Sequence, residues 1–399
     1  MKPDFRRLWA AHSVSIFGDQ LTLVALPYAA WEETESALAV GIVASAEAAT
    51  AVVFGLAAGA LADRLPYRRV LVQTDIGRAG MLLALVFALR SPSGGFAALL
   101  VAAIGLGMVR VVHDAAANAS VPVLVAERDL LAANGRLQAS ESASTAIGPA
   151  LAGGLVAIGG AGFAFGVDAG TFLLSAAALV TLRRLDDVPP IEDDDELSWP
   201  SRLRADMADG LRHLRADAVM RRVIVLVAAM NLVAVAAEAQ FIPYAREVLE
   251  IGALGIGAYF ALAGTAAVIT SFAVGRSEVA SGKIVTFGLT LFASGIALAG
   301  LVPSFVTVAV AYVCAGVGSV LVHTHQSAFR QRRFPVRLQG RVSMAVRGLI
   351  LAPMPVGFVL GGWLSDGVGP EALFVAAGTI GLAVAAWGVA VGVPHLRQG

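Results

Sequence analysis

Asp19, Glu47 and Glu238 are carboxylic acids set in stretches of chain that are otherwise almost wholly apolar. An ionisable side chain in such a setting is costly, so it marks a place where charge is taken up, passed on or paired. Burial disfavours an ionised carboxylate, which makes each of these acids a candidate to bind and release a proton. Gln20 beside Asp19, and Asn231 on the same helical face as Glu238, add neutral hydrogen-bonding groups suited to hold a polar function of a substrate. Arg110 and Asp114 stand four residues apart, with His113 alongside and Asn118 one turn on, so a helix there carries cation, acid and amide on one side. Such a row either neutralises itself or reaches across to another acid. Arg347 calls for a counter-charge on a facing helix. His323 and His325 point to different faces with no carboxylate nearby, and the single cysteine, Cys314, rules out an internal disulfide and a Cys-cluster site, so no metal is expected.

The elements that must position these groups are long and apolar. Only 15% of the 399 residues are charged, 57% are hydrophobic, and the mean hydropathy is +0.76. A soluble domain averages about 25% charged residues, so water is not the main solvent of this chain. Apolar runs predict helices at 9 to 31, 38 to 62, 70 to 90, 96 to 117, 139 to 160 and 163 to 183, then at 221 to 243, 254 to 274, 283 to 302, 304 to 325, 340 to 364 and 371 to 393. Each is near the 20 residues that a hydrocarbon layer about 30 Å thick requires. The 43 glycines suit helices that must approach closely in lipid. The first span follows Lys2, Arg6 and Arg7, has no convincing cleavage site and is expected to be retained.

Basic residues fall in every second connection. One side receives Lys2, Arg64, Arg68, Arg69, Arg128, Arg136, Arg183, Arg184, the arginines of the central loop, Lys283 and Arg330 to Arg341; the other receives only Arg90 and Arg246 among a set of glutamates. The positive-inside rule therefore predicts a multi-pass membrane protein with both termini cytoplasmic. With only Lys2 and Lys283 as lysines the basic residues are nearly all arginine, which points to a GC-rich bacterial source and hence to a bacterial cytoplasmic (inner) membrane. The basic clusters fit orientation and anionic lipid, not nucleic acid.

The longest connection carries Pro189-Pro190, an acidic run from Glu192 to Glu196 and then Leu203, Met207, Leu211 and Leu214 at helical spacing. It reads as a linker over 185–220 with an amphipathic helix lying on the membrane surface or on the bundle, between a bundle over 1–184 and a second over 221–399. Short matches recur in order between the halves: Pro27-Tyr28-Ala29 with Pro243-Tyr244-Ala245, Gly135-Arg136 with Gly340-Arg341, Gly153-Gly154 with Gly361-Gly362. The fold class expected is an all-α membrane protein of twelve transmembrane helices in two pseudo-symmetric six-helix bundles. A substrate site would lie between repeats of this kind, near the bilayer midplane.

After the second predicted helix the chain reads Gly59-Ala60-Leu61-Ala62-Asp63-Arg64-Leu65-Pro66-Tyr67-Arg68-Arg69. This resembles the signature loop of the major facilitator superfamily, although Pro66-Tyr67 departs from the glycine usual there and the corresponding loop of the second half is degenerate. The segments Phe5 to Trp9, Gly18 to Pro27, Ser36 to Gly41, Ile147 to Gly153 and Ala245 to Leu249 look like the bacterial exporter branch that includes the enterobactin exporter and related multidrug carriers. The resemblance implies a cytoplasmic gate built from Gly59, Asp63, Arg64, Arg68 and Arg69, which Arg110 and Asp114 would join. It also implies an export-type motif on the fifth helix at Gly148, Pro149, Gly153 and Gly154. Asp168, in Asp168-Ala169-Gly170-Thr171-Phe172, looks like a structural element of that branch.

No G-x-x-x-x-G-K-[ST] loop, hydrolase elbow or H-E-x-x-H motif occurs, so ATP-driven pumping and the usual membrane hydrolases are unsupported and no cofactor is expected. The leading expectation is a monomeric secondary transporter that exports small amphipathic or hydrophobic molecules, a drug, siderophore or secondary metabolite, by proton antiport with alternating access. Its partners would be the small-molecule substrate, protons and membrane lipid. Proton-coupled uptake or facilitated diffusion of a nutrient, and a non-transporting sensor or scaffold, are the alternatives.

Overall fold

The structure is a computed structural model, and it describes residues 3–62, 65–91, 95–185, 199–274 and 282–393. These residues are helical almost throughout. In chain order the helices are α1 (Pro3–Thr34), α2 (Ala37–Ala62), α3 (Tyr67–Ala88), α4 (Gly95–Leu124), α5 (Leu130–Val180), α6 (Trp199–Ala216), α7 (Ala218–Ala239), α8 (Phe241–Glu247), α9 (Ala253–Val274), α10 (Gly282–Leu301), α11 (Phe305–Arg333), α12 (Val336–Leu351), α13 (Met354–Val368) and α14 (Pro370–Ala390). Among the described residues, ten segments are long and apolar enough to cross a membrane. One of them, Glu127–Val180, is 54 residues long and bends where Gly159 and Gly160 leave helical geometry, so it supplies both the fifth and the sixth predicted helices. Gly160 sits at φ 73°, a conformation open to glycine at little cost. The first predicted helix is α1, 32 residues long, whose polar side chains lower its hydropathy.

Two of the predicted helices are interrupted. The seventh predicted helix is divided into α7 and α8 at Gln240, and the eleventh into α12 and α13 just before Pro353. Ser304 and Thr307 form a reciprocal capping box that starts α11, and the Asp217 carboxylate accepts from the amides of Val219 and Met220 to start α7.

The chain forms two compact units. The first comprises residues 1–35, 46–199 and 252–261; the second comprises 36–45, 200–251 and 262–399. Unit one is organised around α1, which packs along α5, with α3 lying between α5 and α4. At one end its core is Phe5, Leu8, Leu71, Ala116, Leu124 and Leu182. Unit two packs α7, α10 and α14 together around Met220, Leu226, Met230, Leu289 and Ala293. Large apolar side chains such as Ile158, 80% exposed, and Phe272, 76% exposed, lie on the outside, the arrangement a lipid solvent favours.

Helix α6 is the amphipathic helix expected in the linker, and it lies on the bundle of unit two. Leu214 is buried in that unit's core. Beside that contact, Asp209 accepts from Arg212 and, at 3.0 Å, from Arg341 Nη1, and these contacts hold its carboxyl below the ordinary aspartate range. The linker residues 186–198, and with them the acidic run, lie outside the described residues.

Two features repeat between the units. Glu35, just before α2, and Glu250, just before α9, both adopt the left-handed backbone (φ 48° and 54°) that non-glycine residues seldom take. The paired glycines also act alike. A Cβ on Gly153 would fall 2.4 Å from the Ala253 carbonyl oxygen and 2.9 Å from Gly257 Cα in α9, and one on Gly362 would fall 2.6 Å from the Ala37 carbonyl oxygen at the start of α2. The same end of α2 is capped from α13: Asp366 accepts hydrogen bonds from Ser36 Oγ at 2.8 Å, Ala37 N at 2.7 Å and Leu38 N at 3.1 Å.

Glycine contacts set where added bulk is tolerated. A Cβ at Gly378 in α14 would stand 2.3 Å from the backbone nitrogen of Ala297 in α10, whereas one at Gly80 in α3 meets nothing within 4 Å. Gly378→Ala is therefore expected to destabilise by about 1–3 kcal/mol through overpacking. Gly80→Ala is expected to stabilise by about 0.5–1 kcal/mol through reduced backbone entropy of the unfolded chain. Thermal unfolding of the detergent-purified variants checks both: the apparent Tm should fall for the first and hold or rise for the second.

Candidate functional site

Unit one holds a buried cluster of ionisable groups contributed by α1 through α5. Its centre is Arg78 of α3, whose side chain is 1% exposed. Arg78 Nη1 donates to Asp19 Oδ1 of α1 at 3.0 Å, while Nη2 donates to Asp75 Oδ1 at 2.6 Å and to Ser15 Oγ at 3.0 Å. The guanidinium carbon lies 4.1 Å from the centroid of the Phe172 ring, adding a cation–π contact from α5. One planar, delocalised cation thus ties three helices together, a role that the fork geometry of arginine suits.

Arg110 of α4 is the second cation. Its Nε lies 3.9 Å from Asp19 Oδ2 and 3.9 Å from Asp114 Oδ2, and its Nη1 lies 3.5 Å from Glu47 Oε1. The Arg110 side chain is 40% exposed and that of Asp114 44%, so this part of the cluster is open where Arg78 is sealed. Glu47 reaches Arg110 because α2 lies close against α4 at Gly107, where a Cβ would meet Thr50 Oγ1 at 2.0 Å and the Glu47 carbonyl oxygen at 3.2 Å. Asp19 is therefore shared between the two guanidinium groups, and Glu47 and Asp114 converge on one of them.

Further groups extend the cluster. His113 Nδ1 is 3.3 Å from Asp75 Oδ1 and 3.0 Å from Thr74 Oγ1, and the His113 ring stacks on His12 of α1 with centroids 6.2 Å apart. Asp168 of α5, fully buried, accepts from Thr22 Oγ1 at 2.5 Å and from Thr171 Oγ1 at 3.0 Å. A cavity of about 20 Å³ lies among Asp19, Thr22, Glu47, Arg78, Leu106, Arg110, Asp168 and Phe172.

Of the residues singled out from sequence, Asp19, Glu47, Arg110 and Asp114 come together here. Arg110 pairs with Asp114 in its own helix and also leaves it to reach α1 and α2. Gln20 faces α5, its Cβ packed where Gly148 leaves room, and is half-buried beside the cluster. Gly148 and Gly153 are close-packing positions, Pro149 offers its carbonyl oxygen 2.4 Å from where a Cβ on Gly257 would be, and a Cβ on Gly154 would meet nothing within 4 Å.

Other expected residues lie apart from this cluster. Asn231 and Glu238 belong to α7 of unit two; Asn231 Nδ2 donates to the Ile350 carbonyl oxygen at 2.8 Å, and Glu238 is exposed and without an ion pair among the described residues. Arg347 is exposed and likewise makes no ion pair among the described residues, so the expected counter-charge is not found there. Asp63 and Arg64, and the surroundings of Gly59, lie outside the described residues; Arg68 Nη1 donates to the Val180 carbonyl oxygen at 2.9 Å, and Arg69 is exposed. Asp75, Arg78 and His12 were not singled out from sequence. The signal was present as an Asp–Arg pair three residues apart inside an otherwise apolar run of α3.

Replacing Arg78 tests whether it is the tie. Arg78→Met leaves Asp19 and Asp75 without their shared cation and is expected to cost about 3–5 kcal/mol, the usual loss on breaking a buried pair from one side. Adding Asp75→Asn should recover part of that loss, a coupling measurable as the non-additive term of a double-mutant cycle on the melting of purified protein.

Comparison with known proteins places this geometry in context. A family model described as Major Facilitator Superfamily matches residues 8–354. Macrolide efflux protein A of Streptococcus pyogenes is 23% identical over 392 residues, covering 96% of this chain and 95% of that protein. Multidrug efflux pump Tap of Mycolicibacterium fortuitum is 28% identical over 403 residues, covering 96% and 93%. Among solved structures, a bacterial homologue of the human lysosomal transporter Spinster, inward-facing and occupied, aligns with a TM-score of 0.77 at 14% identity over 100% of this chain and 99% of that one. A bacterial homologue of the iron transporter ferroportin, inward-facing, aligns with a TM-score of 0.72 at 17% identity over 97% and 99%. Likeness at these identities establishes the fold.

Proposed function

The chain belongs to the Major Facilitator Superfamily, and on that premise we propose that this multi-pass transporter exports small amphipathic or hydrophobic molecules in exchange for protons, by alternating access. The observation that carries this reading is the sharing of Asp19 between Arg78 and Arg110 while Glu47 and Asp114 compete for Arg110. Carboxyls outnumber guanidinium groups in this cluster. An excess of acid inside an apolar bundle is a place where a proton or a cationic substrate is taken up, because unbalanced charge there is costly. Protonating Asp19 or Glu47 frees Arg110 to turn toward the remaining acids; deprotonating draws it back. That exchange of partners is the coupling step.

Export is supported by the efflux named in two of the relatives, for macrolides in one and for many drugs in the other. Glu238, exposed on α7 and unpaired among the described residues, is a further proton-binding candidate, and Gln20 and Asn231 are the neutral anchors for substrate. Asp63 and the arginines that follow it form the cytoplasmic gate. The protein works as a monomer in a bacterial cytoplasmic membrane with both termini inside. Moving one charge through 100 mV is worth about 2.3 kcal/mol, which sustains a gradient of a neutral solute of roughly 50-fold. One titrating carboxyl is enough for useful efflux.

Reconstitution in proteoliposomes with an imposed pH gradient tests the reading. Wild-type protein is expected to move protons on addition of a transported lipophilic compound. Asp19→Asn and Glu47→Gln are each expected to abolish gradient-driven transport while substrate binding, read by tryptophan fluorescence, changes little. Full coupled transport in both variants rejects the assignment, and the absence of proton movement across a broad panel of lipophilic compounds rejects exchange itself.

A further inference from the structure

Asp168 stands out from the other acids of the cluster by its partners. Asp19 faces Arg78 and Arg110, Asp75 faces Arg78, and Glu47 and Asp114 face Arg110. Asp168 makes no ion pair among the described residues; its oxygens accept from two hydroxyls, Thr22 Oγ1 on Oδ2 and Thr171 Oγ1 on Oδ1. A fully buried carboxylate held by neutral donors alone is among the costliest arrangements a protein interior can contain, and a carboxylic acid in the same place is not.

The backbone is shaped to keep it there. Gly18 brings α1 so close to α5 that a Cβ would stand 2.1 Å from Asp168 Oδ1 and 2.2 Å from Thr171 Oγ1. The cavity of about 20 Å³ is lined by Asp168, Asp19, Glu47 and Thr22 together. That volume accommodates a single water, which needs about 10–15 Å³ and two to four polar partners. The other charged and hydrogen-bonding groups lining this space are Asp19 and Thr22 from α1, Glu47 from α2, Arg78 from α3 and Arg110 from α4.

We propose that Asp168 is a second proton-carrying carboxyl, exchanging its proton with Asp19 through one water held in the cavity between them, with Gly18 and Thr22 as positioning residues. In the transfer the O–H bond of the Asp168 acid breaks and its proton joins the water. The water passes one of its own protons to the Asp19 carboxylate, where a new O–H bond forms, and is left as water. Asp168 becomes a carboxylate as Asp19 becomes neutral and loosens from Arg110, so the total charge is unchanged. The inference rests on the proton-exchange reading above and gives the proton a second place to reside, on an acid with which Arg110 makes no ion pair among the described residues.

Infrared difference spectroscopy of the full-length protein in lipid, recorded between acid and alkaline conditions, reads protonated carboxyl groups without requiring transport. Wild-type protein should show a carboxylic-acid carbonyl band that Asp168→Asn removes. Thr22→Val should shift the same band to higher frequency by deleting one donated hydrogen bond, and it serves as the test if Asp168→Asn fails to fold. Coupled efflux in Asp168→Asn should fall by about a hundredfold, the scale of losing a positioned proton-transfer group, with partial recovery in Asp168→Glu. A band unchanged by both Asp168→Asn and Thr22→Val overturns the proposal, as does full coupled efflux in folded Asp168→Asn. Loss of the band in Asp168→Asn, together with wild-type protein that moves no protons, supports the Asp168 site and overturns proton exchange alone.

Discussion

One buried guanidinium organises unit one. Arg78 has its charge met by Asp19 from α1 and Asp75 from its own helix, its flat face covered by Phe172 from α5, and a further hydrogen bond accepted by Ser15. In lipid, helices gain little by hiding apolar surface from one another, so packing and polar contacts decide which faces meet. Arg78 makes that decision for α1, α3 and α5. With those three fixed, Arg110 on α4 has only a short distance to bridge to Asp19 and Glu47, and the exposed half of the cluster becomes adjustable because the sealed half is not.

The second organising device is the absence of side chains. At Gly18, Gly107, Gly153, Gly362 and Gly378 a single methyl group would collide with backbone or with a functional side chain. Two of these contacts do more than pack: Gly18 sets Asp168 against α1, and Gly107 sets Glu47 within reach of Arg110. The others let backbones touch, with Gly153 against α9 and Gly362 against α2 in matching roles. The left-handed turns at Glu35 and Glu250, immediately before those two helices, give the repeat a second signature that is independent of glycine.

Much of this was legible in the sequence, and the unread part has physical reasons. Hydrophobic length and the alternation of basic connections reveal the spans, because both are one-dimensional properties of the chain. The joining of the fifth and sixth helices at Gly159-Gly160 and the break at Gln240 depend on local geometry, which composition does not encode. Asp19, Glu47, Arg110 and Asp114 were recognisable singly as charges in apolar surroundings. Their convergence was not, since it depends on how α1, α2 and α4 rotate about their axes. Arg78 and Asp75 stand three residues apart on one helix, and that Arg78 also meets Asp19 of α1 emerges only from the three-dimensional arrangement. Asp168 was read as structural, and its isolation from any cation emerges only when the neighbouring helices are in place.

The hold of Asp366 on the start of α2 has a consequence for how the molecule comes into being. The bonded partners, Ser36, Ala37 and Leu38, are separated from Asp366 by 330, 329 and 328 positions. A ribosome emits the chain from its N-terminus, so α2 enters the bilayer long before its cap exists. Through most of biosynthesis the first amides of that helix must be satisfied by headgroups or water, and they are released from those stand-ins only when nearly the whole chain has been inserted. Completion of the second unit is thereby tied to the arrival of almost the last helix.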